Sequence, residues 1–594
     1  MQARRFSGPD VVATPALRTG SLELLSDPFL MAPRRHTCTV VWFTEQPGNH
    51  LVLVGHGVGE LSERDLPALL AGRERPGVRI HRATSSTLSR TAEDQDSRVA
   101  EPPSRLTPRP VQRHEARVGP LRPGRRVAYR VLSTSLEGDV VMSAAYTLAP
   151  APRRGSSVRL MFTSDHQDKP NTPRNLEVAA ATLGPLDAVL AVGDLADIPD
   201  RASEWFDSDS GSAFFPAMQG RAHRADTAGN LSTGAALLQH LPIWPAIGNH
   251  EVMGRIEGVA GLNEAVLSHV PRHVAEAEYA RRYGDGDAPD RPERETWLER
   301  NSFSSRSYEE VFSSLPRTRG AGVRRYAVTI GEVRLITLNV TRAWRSTGAD
   351  AEPASRQRTT RHQEAAAVID DPMRQGHGEF WFDDIRPGSQ QWRWLETELA
   401  SSARRRCRWT IVQLHEGPHG LGENMMPPYV QPVTVEERNE AGELVGIRHE
   451  YPIERDTLVN DVAPLLERSG VDLVLNGHSH LWNRFRRGRT NYLEASNTGN
   501  SYGAHHPASG RARPAPGEPW PAKDHVAMGD PGGLEPIAPS HGGLAPDEPF
   551  LASNDHVVVQ CFDSATGTIT SWVHDVREPG QPPRILDEFG LGEG

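Results

Sequence analysis

Hydrophobic and polar positions alternate along the first quarter of the chain, then give way to apolar runs that stop at polar residues. CTVVWFTE at 38–45 and LVLVGHG at 51–57 alternate with a period of two, as half-buried strands do. HEARVGPLRPGRRVAYRVLS at 114–133 reads as strand, Leu-x-Pro-Gly turn and strand, and VVMSAAYTL at 140–148 adds another. This pattern predicts a small all-β sandwich over 26–150, after a tail at 1–25. The polar stretch 88–112 reads as a long loop inside the sandwich, and APAPRRGSS at 149–157 as a linker.

From 151 to 594 the rhythm is that of an α/β domain. Apolar strands are expected in VRLMFTSD (158–165), LDAVLAVGD (186–194), LPIWPAIGNHE (241–251), VRLITLNV (333–340), RWTIVQLHE (408–416) and VDLVLNGHSH (471–480). SQQWRWLETELASS at 389–402 and TLVNDVAPLLERSG at 457–470 have helical spacing, the second ending at Gly470. Segments 253–300, 343–388, 417–450 and 500–550 are polar or rich in Pro and Gly, and read as insertions over the strand ends.

The residues that stop the apolar runs carry the candidate chemistry. Asp165 ends one strand and Asp194 the next; Asn249, His250 and Glu251 follow a third, His415 a fourth, and His478 and His480 a fifth. In α/β sheets the carboxyl ends of strands open on a shared crevice. Imidazole, carboxylate and amide oxygen together suit Fe, Zn or Mn, whereas an all-oxygen set would point to Ca or Mg. Two cations held close together need a bridging anion, and Asp194 in GDLAD is the natural bridge, with Gly193 permitting a sharp turn before it. The i, i+2 spacing in GHSH puts both imidazoles on one side of extended backbone; His166, between Asp165 and Gln167, should point away. His419, four residues past His415, reads as a solvated loop histidine, with contact to substrate as the alternative.

Composition narrows the class. A formal charge of −10 leaves no global footprint for nucleic acid or an anionic membrane, so neither is expected as a stable partner. Cys38, Cys407 and Cys561 offer neither a disulfide framework nor a cysteine zinc site. The N-terminus lacks an apolar h-region and no stretch approaches the ~20 apolar residues of a membrane span. The expectation is a soluble, cytoplasmic protein, with secretion left open and the oligomeric state unread. Lys169 and Lys523 are the only lysines among many arginines.

SD-x-Q, GD-x-x-D, GNHE, a strand-end His and GH-x-H together resemble the calcineurin-like metallophosphoesterase superfamily. LRPGRRVAYRV in the N-terminal module, SYEEVFSSLP at 307–316 and GHSHLWNRF at 477–485 are similar to purple acid phosphatases, whose N-terminal domain is fibronectin-III-like. The resemblance implies a catalytic β-sandwich flanked by helices, closed by VVVQCFDSATGTITSWVHD at 557–575. It implies that Asp165, Asp194 and His480 hold one metal, that Asp194, Asn249, His415 and His478 hold the other, and that His250 faces the substrate. Asp197 stands where purple acid phosphatases have the iron-binding Tyr, and Gln167 where many superfamily members have a ligand His; both join the candidate ligands. The implied activity is hydrolysis of small phosphate esters, most of all monoesters, by water activated between two metals. A phosphodiesterase or nucleotidase with the same centre, and a non-catalytic binding protein, are the alternatives.

Overall fold

The computed structural model describes residues 16–284, 292–344, 361–378, 380–422, 429–495, 499–513 and 526–592. The N-terminal residues 1–15, and parts of the insertions expected at 343–388, 417–450 and 500–550, lie outside these ranges.

The apolar runs form two packed sheets. One has the order Ile243–Pro245, Ala188–Ala191, Arg159–Thr163, His556–Asp563, Thr568–Asp575, Arg584–Gly590, the first three strands parallel and the rest antiparallel. The other runs Tyr326–Ile330, Val333–Thr337, Trp409–Gln413, Leu473–Asn476, Thr490–Glu494, Trp482–Arg487, Phe550–Leu551, with four central parallel strands. Every residue of Ala188–Ala191, Trp409–Gln413 and Leu473–Asn476 is buried. Both faces of these strands are covered, which is why the sequence shows continuous apolar runs there.

Side chains divide by parity. Leu335, Ile411, Leu473 and Leu475 point between the sheets to meet Leu160, Val189 and Val559. Ile336, Val412 and Val474 point outward onto Trp392, Leu395, Leu465 and Leu466 of two helices. The first of these, Gln390–Leu399, begins where Ser389 Oγ accepts from Trp392 N at 3.1 Å. The second opens with a π-turn at Leu458–Val462, continues as Ala463–Arg468, and stops at Gly470, whose φ of +68° is left-handed. The α/β expectation of a helix-flanked β-sandwich is met.

The N-terminal residues form a second sandwich. A six-stranded sheet built around Val127–Ser135 and Gly48–Val54 faces a four-stranded one ordered Phe29–Arg34, Thr37–Thr44, Gln112–Val118, Thr84–Thr87. Leu17–Thr19, read from sequence as tail, pairs with Val140–Met142; three residues are too short to show alternation. Parity again decides contacts. Leu30, Val40 and Trp42 fill the sandwich with Val52, Val131 and Leu148, while Phe29, Met31, Val41 and Phe43 turn outward into the catalytic core. Phe43 packs on Phe206 at 4.9 Å, and Tyr129 Oη donates to the Gln239 carbonyl at 2.8 Å. The module is thereby joined to the strand that leads to Asn249.

Segment 253–300, read as a polar insertion, contains helices Leu262–Leu267, Arg272–Tyr283 and Arg294–Asn301. Their many charges mask a small core of Val270, Ala275, Tyr279, Trp297 and Leu298. Among the described residues no helix is long and apolar enough to cross a membrane.

Candidate metal centre

Five parallel strands, three from one sheet and two from the other, end at one crevice, and glycine makes their approach possible. A Cβ on Gly193 would lie 2.6 Å from His415 Nδ1, one on Gly248 would strike Asp194 Oδ1, and one on Gly477 would sit 2.6 Å from Asp165 Oδ2. No larger residue fits at those three positions without displacing a candidate ligand. The ligand loops are also strained. Asp165, Gln167, Asp194, His478 and His480 have φ of +55°, +41°, +54°, +87° and +56°. Such left-handed backbone costs about 1–3 kcal/mol at each non-glycine residue and persists where the surroundings enforce it, most often at functional sites.

The donors converge. Ligand atoms of Asp194, His415 and His478 lie within 4.8 Å of one another. His415 Nε2 is 3.1 Å from Asp194 Oδ2, and His480 Nε2 is 3.4 Å from Asp165 Oδ1. His478 Nδ1 is 3.0 Å from Asn249 Oδ1, and the His478 amide donates to Asp165 Oδ2 at 3.0 Å. The far side of two rings is already assigned: His415 Nδ1 donates to the Val192 carbonyl at 2.6 Å and His480 Nδ1 to that of Asn500 at 2.9 Å. Each Nε2 is thus the ring nitrogen left facing a carboxylate, the atom that would bind a metal.

Asp165, Asp194, Glu251 and Glu416 are all 1% exposed or less. Burial, opposed by His415 and reinforced by Asp194, pushes the Asp165 carboxyl up to about 7. Burial works against ionisation of Asp194 too, but His415 and His250 hold it well below the usual range. Burial pushes Glu416 up to about 8, and among the described residues its oxygens have no hydrogen-bond partner in another residue. Burial, and then the Lys169 charge, press the His480 imidazole down to about 3, keeping it neutral. Carboxylates this dense and this dry favour bound cations. The donor set fits a metal pair, and the buried Gln167 Oε1, without a hydrogen-bond partner among the described residues, is a further acceptor for one.

The remaining candidates fall around this core. Gln167 is buried and its Nε2 donates to Asp194 Oδ2 at 3.1 Å. Asp197, whose side chain is 44% exposed, places its carboxylate 3.3 Å from His250 Nδ1. The His250 amide donates to Asp194 Oδ1 at 2.8 Å, its Nδ1 donates to the Asp197 carbonyl at 2.7 Å, and its Nε2 lies 4.0 Å from Asp194 Oδ2. His166 turns away, against Phe214 and the Thr163 hydroxyl. His419 is no solvated loop residue: it is buried, with Nδ1 2.8 Å from Asp530 Oδ2 and its ring edge-on to Tyr492.

Two residues escaped the sequence reading of roles. Glu251 accepts from the amides of Asp194 (2.8 Å), Leu195 (2.7 Å) and Gly248 (2.7 Å), tying two ligand loops together. Glu494 accepts from the Ser479 amide and Asn483 Nδ2, each at 2.7 Å, and so fixes the loop between His478 and His480. Glu251 was visible inside GNHE; Glu494 had no signal, being one acid at the end of an ordinary strand.

The chain belongs to the calcineurin-like phosphoesterase family: residues 158–481, more than half its length, match that family. It is accordingly a phosphoester hydrolase, of a metal-dependent family. Among solved structures it is similar to a purple acid phosphatase from seeds of yellow lupin (Lupinus luteus), 14% identical with a TM-score of 0.47, covering 95% of this chain and 73% of that one. It is also similar to PhoD, 10% identical with a TM-score of 0.39, covering 99% and 95%. No curated protein matches it.

Proposed function

We propose that the protein hydrolyses small phosphate monoesters with a pair of metal ions, Fe, Zn or Mn, held by Asp165, Gln167, Asp194, Asn249, His415, His478 and His480. The observation that carries the proposal is the meeting of Asp194, His415 and His478 donors within 4.8 Å at the ends of strands from two sheets. When bound, such a pair supplies Lewis acidity, lowering the pKa of water and drawing charge from phosphoryl oxygens.

The chain's own groups do the rest. Asp194, ordered by the backbone amide of His250 and the side-chain amide of Gln167, would be the carboxylate that holds both cations. His250 is held by its backbone and by Nδ1, and Nε2 would be the atom that carries a proton to the leaving oxygen. Asp197 beside Nδ1 fixes the ring and complements positive charge on it. Its part is therefore to position His250, with direct ligation of a metal the competing role. The N-terminal sandwich, sharing its outward apolar face with the catalytic core, is a buttress.

The preference for monoesters rests on the order of module and catalytic unit and on the motifs SYEEVFSSLP and GHSHLWNRF. Comparing p-nitrophenyl phosphate with bis-p-nitrophenyl phosphate tests it: monoester turnover should dominate, and a strong diester preference reverses the assignment. Purified protein that carries no metal, and gains no activity with Mn, Zn or Fe, overturns the enzymatic reading at this site.

A further inference from the structure

A second, separate place on the catalytic unit holds a buried cation that has no ion pair among the described residues. Arg325, immediately before the edge strand Tyr326–Ile330, is 3% exposed, and its Nε and Nη2 are buried without a hydrogen-bond partner. No ion pair involves it among the described residues; its guanidinium lies 5.7 Å over the Trp394 ring. Burial opposes its charge, Asp383 is near enough to favour it, and Arg324 opposes it. The Asp383 carboxylate is already engaged, however, by Arg342 Nε at 2.8 Å and Gln391 Nε2 at 3.1 Å.

Arg325 lines a cleft of about 470 Å³ with Arg317, Arg319, Gln390, Trp394 and Glu398. The acid in this set, Glu398, pairs through one carboxylate oxygen with Arg334 at 2.5 Å. Arg317 and Arg319 are exposed and have no ion pair among the described residues. Three arginines therefore line one cleft with a single acid, Glu398, whose carboxylate is shared with Arg334. A buried guanidinium without an acceptor is destabilising, and the planar fork of N–H donors matches the oxygens of a tetrahedral anion.

We propose that this cleft is a binding site for a small tetrahedral oxyanion, a phosphate or the phosphoryl group of a small ester, seated on Arg325 with Arg317 and Arg319 closing over it. None of its residues belongs to the metal centre, so the inference does not depend on how that centre works. A packing role for Arg325 against Trp394 is the competing account, and the two differ in what removal of the charge does.

Calorimetric titration of the full-length, metal-loaded protein with inorganic phosphate, set beside Arg325→Met and the double variant Arg317→Gln/Arg319→Gln, tests the proposal. One phosphate-binding event of the parent protein should disappear or weaken at least about tenfold in both variants. The exposed double variant leaves the Trp394 packing intact, so a folding defect cannot explain its loss. Melting in anion-free buffer should place Arg325→Met at or above the parent, because an unpaired buried charge has gone. Turnover of p-nitrophenyl phosphate should be unchanged, which separates this site from the catalytic one. Titration with methylphosphonate distinguishes the sources: binding of both anions assigns a phosphoryl group, and binding of phosphate alone assigns free phosphate. Phosphate binding equal in stoichiometry and affinity across the three proteins overturns the proposal.

Discussion

His415 and Asp194 are positioned by the same strand end: His415 Nε2 stands 3.1 Å from Asp194 Oδ2, while His415 Nδ1 donates at 2.6 Å to the carbonyl of Val192, two residues before that aspartate. One backbone segment thus sets both the tautomer of the imidazole and the carboxylate it faces. Replacing His415 with Asn shortens the reach and removes the Nε2 donor. Activity should fall by more than about 100-fold, beyond the cost of disturbing an outer partner, with metal content reduced in parallel. Elemental analysis beside the rate checks this; a fully metallated, active variant would remove His415 from the centre.

Gly248 has an ordinary backbone conformation, φ −111°, so its role is room rather than flexibility. A Cβ there would meet Asp194 Oδ1. Gly248→Ala should destabilise the protein by about 1–3 kcal/mol through overpacking and displace Asp194. The expected outcome is a lower melting temperature together with weaker metal retention. Unchanged affinity for metal would show that the loop relaxes without moving the aspartate.

Glu251 receives three amides from two ligand loops, an arrangement that an amide side chain cannot reproduce because its NH₂ faces donors. Glu251→Gln should cost about 1–3 kcal/mol for the buried donors left unsatisfied. Activity should fall through displacement of the loops that carry Asp194 and Asn249. Stability measured by denaturant titration, with activity at saturating metal, separates the two effects; parent-like stability argues against this tie.

His250→Ala should lose the basic limb of the pH–rate profile and lower the rate by about 10²–10⁴-fold, the usual range for a positioned acid. Asp197→Asn, with the carbonyl that accepts from Nδ1 kept, should have a much smaller effect. A profile unaltered by loss of the imidazole assigns proton delivery to another group.

The stacked pair His50 and His114, ring centroids 3.5 Å apart inside the N-terminal sandwich, makes stability depend on acid. Burial pushes His50 down to about 4; burial, with His50 and Arg113, pushes His114 down to about 2. Both lie below the unfolded value near 6.5, so their contribution is complete above that pH and is lost as pH falls through the window toward the folded values. Each should cost roughly 2 kcal/mol by pH 5. His50→Asn, which keeps a polar partner for the Ser133 hydroxyl, should flatten the loss of melting temperature between pH 7 and pH 5. Parallel acid curves for the two proteins would exclude the pair as its source.

Local pattern determined much of this protein. Runs such as LDAVLAVGD and VDLVLNGHSH announce buried strands because parallel strands covered on both faces need apolar residues throughout, and the polar residue that halts each run must lie at a strand end. From that came the α/β architecture and the candidates Asp165, Asp194, Asn249, His415, His478 and His480. Only the tertiary structure decided which distant groups meet. Asp197 comes to His250, His419 is buried on Asp530, and Glu494 holds the loop of two histidines; Arg325 has no ion pair among the described residues. Periodicity reports which face of a strand is dry, a property of neighbours along the chain, whereas hydrogen-bond partners separated by tens or hundreds of residues follow from how two sheets pack.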